Sequence, residues 1–129
     1  MNLRNFLFLI VLTSTLVACN LASDDGSGQV VHHVFFWLKN AGNEADRNQL
    51  VEGLNSLRQI DEVKELKVGF PAPTKERAVI DNSYDVSELM IFESVEEQDA
   101  YQVHPLHQKF VDEYSHLWEK VMVYDMIVE

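Results

Sequence analysis

The chain has 129 residues, with 21 Asp and Glu against 10 Lys and Arg, a formal net charge of −11. That balance excludes a nucleic-acid binder, which needs clustered cations to neutralise phosphates, and it excludes electrostatic adhesion to anionic lipid. The length suffices for one core, and the single cysteine rules out a disulfide within the chain.

Residues 1–18 carry one positive charge, Arg4, followed by an apolar run from Phe6 to Val17. A run of that length falls short of the ~20 apolar residues a membrane span needs and reads as a secretory signal. It ends in Leu16-Val17-Ala18-Cys19, which resembles a bacterial lipobox. That resemblance implies cleavage before Cys19 and lipidation of its thiol, anchoring the protein in the bacterial cell envelope. Asn20, where inner-membrane lipoproteins of enteric bacteria typically carry aspartate, points to the outer membrane. Residues 19–29 are small, polar and acidic without apolar periodicity, the composition of a flexible tether. Residues 30–129 form the domain.

Val30 to Lys39 is dense in β-branched and aromatic residues and is the first strand. Alternation puts Val30, His32, Val34, Phe36 and Leu38 on one face and Val31, His33, Phe35 and Trp37 on the other. Both faces are largely apolar, so both need covering: one by helices, the other by a partner subunit. Asn40 to Asn43 makes a turn. Glu44 to Gln59 places Leu50, Leu54 and Leu57 on one helical face, with Glu44 and Asp46 suited to the helix amino terminus. Glu62 to Phe70 is a second strand. Ala72 to Ser83 is a long connection, a candidate cover for a pocket mouth. Tyr84 to Phe92 is a third strand, and Ser94-Val95-Glu96-Glu97 has the form of a capping box opening a short helix that delivers Tyr101.

The densest chemistry lies in Tyr101-Gln102-Val103-His104-Pro105-Leu106-His107. Proline favours the first helical position, so a helix starts near Pro105. Leu106, Phe110, Tyr114 and Leu117 then form its apolar stripe, and His107, about 100° round the axis from Leu106, sits at the stripe's edge. A half-sheltered imidazole beside a phenol suits general acid–base work near neutral pH. The same residue also fits a surface or locally bonded role. His104 and His107, three apart, with His32 or His33, make a metal site an alternative, although Pro105 holds His104 at the cap, turned from the helix face. Val121 to Val128 alternates as a last strand; Asp125 interrupts it and is read as a hydrogen-bonded structural residue. Trp37 and Trp118 are read as core or interface aromatics. The order βαββαβ predicts an α+β fold, a ferredoxin-like plait with an antiparallel four-stranded sheet.

His32 with Lys39, Gly69, Tyr84, Phe92-Glu93-Ser94, Tyr101 with His104-Pro105-Leu106-His107, and Trp118-Glu119-Lys120 leading into Val123-Tyr124-Asp125 together resemble the stress-responsive A/B barrel domain family. The resemblance covers Val30 to Glu129. It implies a homodimer whose two sheets close into an α+β barrel, and, from plant polyketide cyclases of the family, acid–base chemistry without metal or organic cofactor. It matches His107 to a catalytic base, Tyr101 to a pocket tyrosine and His32 to a pocket histidine. Phe36, Leu54 and Trp118 are the expected ligand-binding positions. Leu54 stands where the cyclases carry a second pocket tyrosine. A non-catalytic surface ligand-binding or protein-interaction module, and a monooxygenase-like α+β barrel, are the other functions compatible with the chain.

Overall fold

The computed structural model describes residues 26–129. The signal sequence, Cys19 and the first part of the tether lie outside the described residues. The elements in chain order are β1 (Val30–Leu38), α1 (Glu44–Ser56) running into a 3₁₀ turn to Gln59, β2 (Glu65–Gly69), β3 (Val86–Phe92), α2 (Val95–Gln102), α3 (Pro105–Tyr114) and, after a second 3₁₀ turn, β4 (Trp118–Ile127). The strands form one antiparallel sheet in the order β2-β3-β1-β4. This is the plait expected from the sequence, with its second helical segment divided in two.

Local chemistry explains the boundaries. Asn43 accepts the Asp46 amide at 3.0 Å and caps α1. Ser94 caps α2 through the Glu97 amide at 3.2 Å, while the Glu97 carboxylate reaches back to accept the Glu93 amide at 3.0 Å, one residue beyond the usual capping-box partner. β2 starts three residues later than expected because Ile60 and Val63 are drawn into turns by the Leu57 and Ile60 carbonyls. β4 begins earlier, since Trp118 already pairs with Leu38 across an irregularity in the ladder. The supposed tether is tied down at its end: the Gly28 amide donates to the Val128 carbonyl and the Val128 amide to the Gln29 carbonyl.

The core lies between the sheet and the helices. Leu50, Leu54 and Leu57 are fully buried against Val86, Met90 and Phe92, and Phe110 and Leu117 close the other end. Burying each such side chain stabilises the fold by about 1.5–3 kcal/mol. α1 approaches α3 at Gly53, where a Cβ would stand 2.8 Å from the Tyr114 ring, so the glycine permits the close contact.

β4 departs from expectation. It is an edge strand exposed on both faces, with Val121, Val123 and Ile127 uncovered on the helix side and Tyr124 and Met126 on the other. The helices cover β1 to β3 and stop short of it. The outer face of the sheet carries a ring cluster in which Phe35 packs on His33 (4.2 Å), Tyr84 (4.9 Å) and Tyr124 (6.0 Å). The connection before β3 lies on this outer face too: Trp37 Nε1 donates to Ser83 Oγ at 3.0 Å. It therefore does not cover the pocket described below, because the Trp37 anchor pulls it to the opposite side of the sheet.

Candidate functional site

The gap left between the overhanging β4 and α3 is a cavity of about 310 Å³ on the helix side of the sheet. Its floor is His32, Val34 and Phe36 of β1 with Glu88 of β3; Tyr101, His107 and Phe110 roof it, and Trp118, Val121 and Val123 form the β4 wall. Phe36 and Trp118 meet at 5.2 Å, and Phe110 stacks on Trp118 at 5.8 Å, which makes one end of the cavity aromatic. The size suits a small monocyclic compound.

The Tyr101–His107 pair follows from how the chain turns. α2 ends at Gln102, and His104 caps α3 with its own side chain, Nδ1 accepting the Leu106 amide at 3.1 Å, while Pro105 occupies the first helical position. This tight junction folds the last turn of α2 against the first turn of α3. Tyr101 and His107 thereby come ring to ring at 4.4 Å. His107 Nδ1 donates to the Gln102 carbonyl at 3.1 Å, one of the acceptors a helix carboxy terminus leaves unsatisfied. Because a carbonyl can only accept, the proton sits on Nδ1 and the lone pair on Nε2 is left for chemistry. Burial holds the His107 pKa below its ordinary 6.5, partly countered by the Gln102 bond, with His32 and His104 lowering it further. Burial, aided by Glu88, raises the Tyr101 pKa, so the phenol keeps its proton.

His32 reaches the same cavity from β1. Its Nδ1 lies 2.6 Å from Asp125 Oδ1, the two residues being directly paired across β1 and β4. Asp125 thus orients the His32 ring, the hydrogen-bonded role read from the sequence. His33 points to the other face of the sheet and cannot join His32. With His104 Nδ1 committed to the Leu106 amide, His32 and His107 are the two imidazoles that line the cavity, and among the described residues no group of three His, Cys, Asp or Glu side chains is placed to hold a metal.

Of the ligand-binding positions expected from the sequence, Phe36 and Trp118 line the cavity with His32, Tyr101 and His107. Leu54 does not: it is fully buried in the core and contributes volume there, not pocket surface. Sequence reasoning passed over Glu88. It is 3 % exposed, its Oε2 has no hydrogen-bond partner among the described residues, and burial pushes its pKa from 4.5 up to about 8. The signal was present, since Val86, Glu88, Met90 and Phe92 share the inward face of β3 and only one of them is polar.

The fold recurs in solved structures. A hydroxynitrile lyase from Passiflora edulis is 24 % identical with a TM-score of 0.66, over 78 % of this chain and 94 % of that one. A stress-responsive A/B barrel protein with a ferredoxin-like fold from Mesorhizobium loti is 23 % identical with a TM-score of 0.64, over 80 % and 99 %. A dimeric ferredoxin-like protein of unknown function from Thermobifida fusca is 16 % identical with a TM-score of 0.63, over 79 % and 92 %. No curated protein sequence matches the chain. At these identities the structures speak for the fold alone. The sequence itself carries the assignment further: the profile of the Stress responsive A/B Barrel Domain matches residues 30–128, from the first residue of β1 to just past the end of β4, and the chain belongs to that family.

Proposed function

We propose that the protein binds a small, largely apolar carbonyl compound in the cavity beneath α2 and α3 and abstracts a proton next to its carbonyl group, lyase- or cyclase-type chemistry for which this chain supplies the acid–base groups itself. The observation that carries the reading is the contact of His107 Nδ1 with the Gln102 carbonyl at 3.1 Å. The Gln102 bond fixes the proton on Nδ1 and leaves Nε2 as a base, inside an apolar cavity and against a phenol that burial keeps protonated. His107 would take the α-proton, and Tyr101 would donate a hydrogen bond to the charge that develops on the carbonyl oxygen. His32, oriented by Asp125, supplies a second polar contact. The Passiflora edulis neighbour, named a hydroxynitrile lyase, is consistent with this class of chemistry on the same fold.

The active form in this reading is a homodimer. The outer face of the sheet exposes Met122, Tyr124 and Met126 beside the half-buried Phe35 and Tyr84, a patch an isolated domain of this size does not leave uncovered, and a second copy closes it into a barrel. The dimeric description of the Thermobifida fusca protein agrees with that arrangement.

Binding is testable directly, because Trp118 lines the cavity. Titration with phenylacetone in the presence of a chelator is expected to change tryptophan fluorescence saturably; a response that is absent, or that needs added metal, would rule out a metal-free carbonyl pocket.

We also place the domain on the envelope through lipidated Cys19, on the strength of Leu16-Val17-Ala18-Cys19. Two or more acyl chains anchor stably, each buried methylene contributing about 0.8 kcal/mol. Cys19→Ser is expected to move the protein from the membrane to the soluble fraction and to abolish incorporation of labelled fatty acid; equal labelling of the variant would refute the anchor.

A further inference from the structure

A carboxyl group without a partner in an apolar floor is costly to keep, and Glu88 sits in the middle of such a floor. It pairs with Val34 of β1 on one side and Val68 of β2 on the other, between Val86 and Met90 along its own strand. Among the described residues no side chain or backbone group satisfies its Oε2, although the residue is 3 % exposed. An unsatisfied buried polar atom is destabilising, so an apolar residue at this position would give a more stable protein. What distinguishes Glu88 from a packing accident is where it lies: its side chain forms part of the cavity floor, under Tyr101 and His107.

We propose that Glu88 is the hydrogen-bonding anchor of the pocket, a neutral carboxylic acid that donates to the carbonyl oxygen of the bound compound and thereby selects uncharged carbonyl ligands over carboxylates and amines. This assignment rests on the acid–base reading of the cavity and adds the ligand class. The surroundings favour the neutral acid. The titratable side chains that line the cavity with it are His32 of β1, which is held by Asp125 of β4, and Tyr101 and His107 of α2 and α3. α1 and β2 turn Leu50, Leu54, Leu66 and Val68 toward the shared core, and Arg47 of α1 lies instead over the Phe70 ring at 5.0 Å. Among the described residues no Lys or Arg side chain lines the cavity to pair with an ionised Glu88. Burial accordingly raises its pKa to about 8, and the carboxyl still holds its proton at neutral pH. A neutral acid can donate to a ligand oxygen, as an ionised one cannot. When His107 removes the α-proton, the electron pair of the broken C–H bond forms the carbon–carbon double bond, the carbonyl oxygen takes the negative charge, and Glu88 O–H is aimed at that oxygen.

Three compounds that share one ring and differ in head group, phenylacetone, phenylacetate and phenethylamine, separate the outcomes on the full-length protein. Phenylacetone should bind best, should weaken as pH rises through about 8, and should lose at least tenfold in affinity in Glu88→Leu. Tighter binding of phenethylamine, strengthening above pH 8, would mean that Glu88 works as a carboxylate and would overturn the proposal. Unchanged phenylacetone affinity in Glu88→Leu would overturn it as well while leaving the pocket reading intact. No binding of any of the three to the wild type would overturn the pocket reading itself, and this one with it. A ligand-free measurement stands beside these. The folded-state pKa of Glu88 is raised above the ordinary value near 4.5, so the stability it permits is complete below that value and is lost as pH rises toward about 8. Glu88→Leu should therefore raise the melting temperature, and by more at pH 8 than at pH 5. A carbon-13 carboxyl resonance of Glu88 that titrates near 4.5, or a Glu88→Leu variant less stable than the wild type at both pH values, would show that the carboxyl is an ordinary structural group.

Discussion

His107→Ala is expected to reduce the exchange of phenylacetone's α-hydrogens with solvent by about 10²–10⁴, the usual contribution of a positioned general base. The fold should survive, because His107 is at the edge of the α3 stripe and Phe110 and Leu117 supply the buried volume at that end of the core. Phenylacetone affinity should change little, since the base acts on the C–H bond and contributes little to holding the ligand. Loss of rate with retained binding is the signature of an interaction made only in the transition state. The pH profile follows from the two shifted groups. Neutral imidazole is the active form and its pKa lies below 6.5, so the rate should climb with pH through a midpoint under that value and be on its plateau by neutrality. It should fall again near pH 8 as Glu88 loses its proton, giving a bell. In His107→Ala the acid limb should disappear. An acid limb that persists in the variant would assign the base to another residue, with His32 the first candidate.

The second large effect concerns assembly. Phe35 is central in the ring cluster of the outer sheet face, flanked by His33, Tyr84 and Tyr124. A two-fold interface brings the same patch from both protomers together, so Phe35→Glu introduces two carboxylates at once into a surface that must lose its water. In light scattering at micromolar concentration the wild type is expected to be dimeric and the variant monomeric, and the variant to be less soluble or less stable because the exposed rings are no longer covered. A monomeric wild type, or a dimeric variant, would move the interface to another surface, the uncovered edge of β4 being the alternative.

The residues show which parts of this account could be read from sequence. The α2–α3 junction was legible because its signals are local: Pro105 fixes the helix start, His104 must then cap it, and a four-residue spacing tells which side faces inward. The proximity of Tyr101 and His107 follows from the shortness of that junction. The His32–Asp125 bond joins residues 93 positions apart and depends on the β1–β4 register, which alternation alone does not set. Glu88 was hidden differently: the unbroken run Leu89-Met90-Ile91-Phe92 masks the period of two, and only the observed inward face of Val86, Glu88, Met90 and Phe92 isolates the carboxyl. Leu54 was placed in the pocket by correspondence with family positions, yet the 4-3 spacing of Leu50, Leu54 and Leu57 already marked it as a core residue. The side on which the 70–85 connection lies was not readable, because it depends on long-range contacts, the bond from Trp37 to Ser83 and the packing of Tyr84 on Phe35 and Trp37.

Metal-free proton abstraction in the cavity is what every role proposed for the site depends on. The most direct measurement is proton NMR of phenylacetone incubated with the wild-type protein in deuterated buffer containing a chelator. The α-hydrogen signals are expected to disappear at a rate proportional to protein, saturable in ketone and well above that of buffer alone. Ketone that binds in the Trp118 pocket yet exchanges no faster than in buffer would contradict it and leave a ligand-binding module in place of a catalyst.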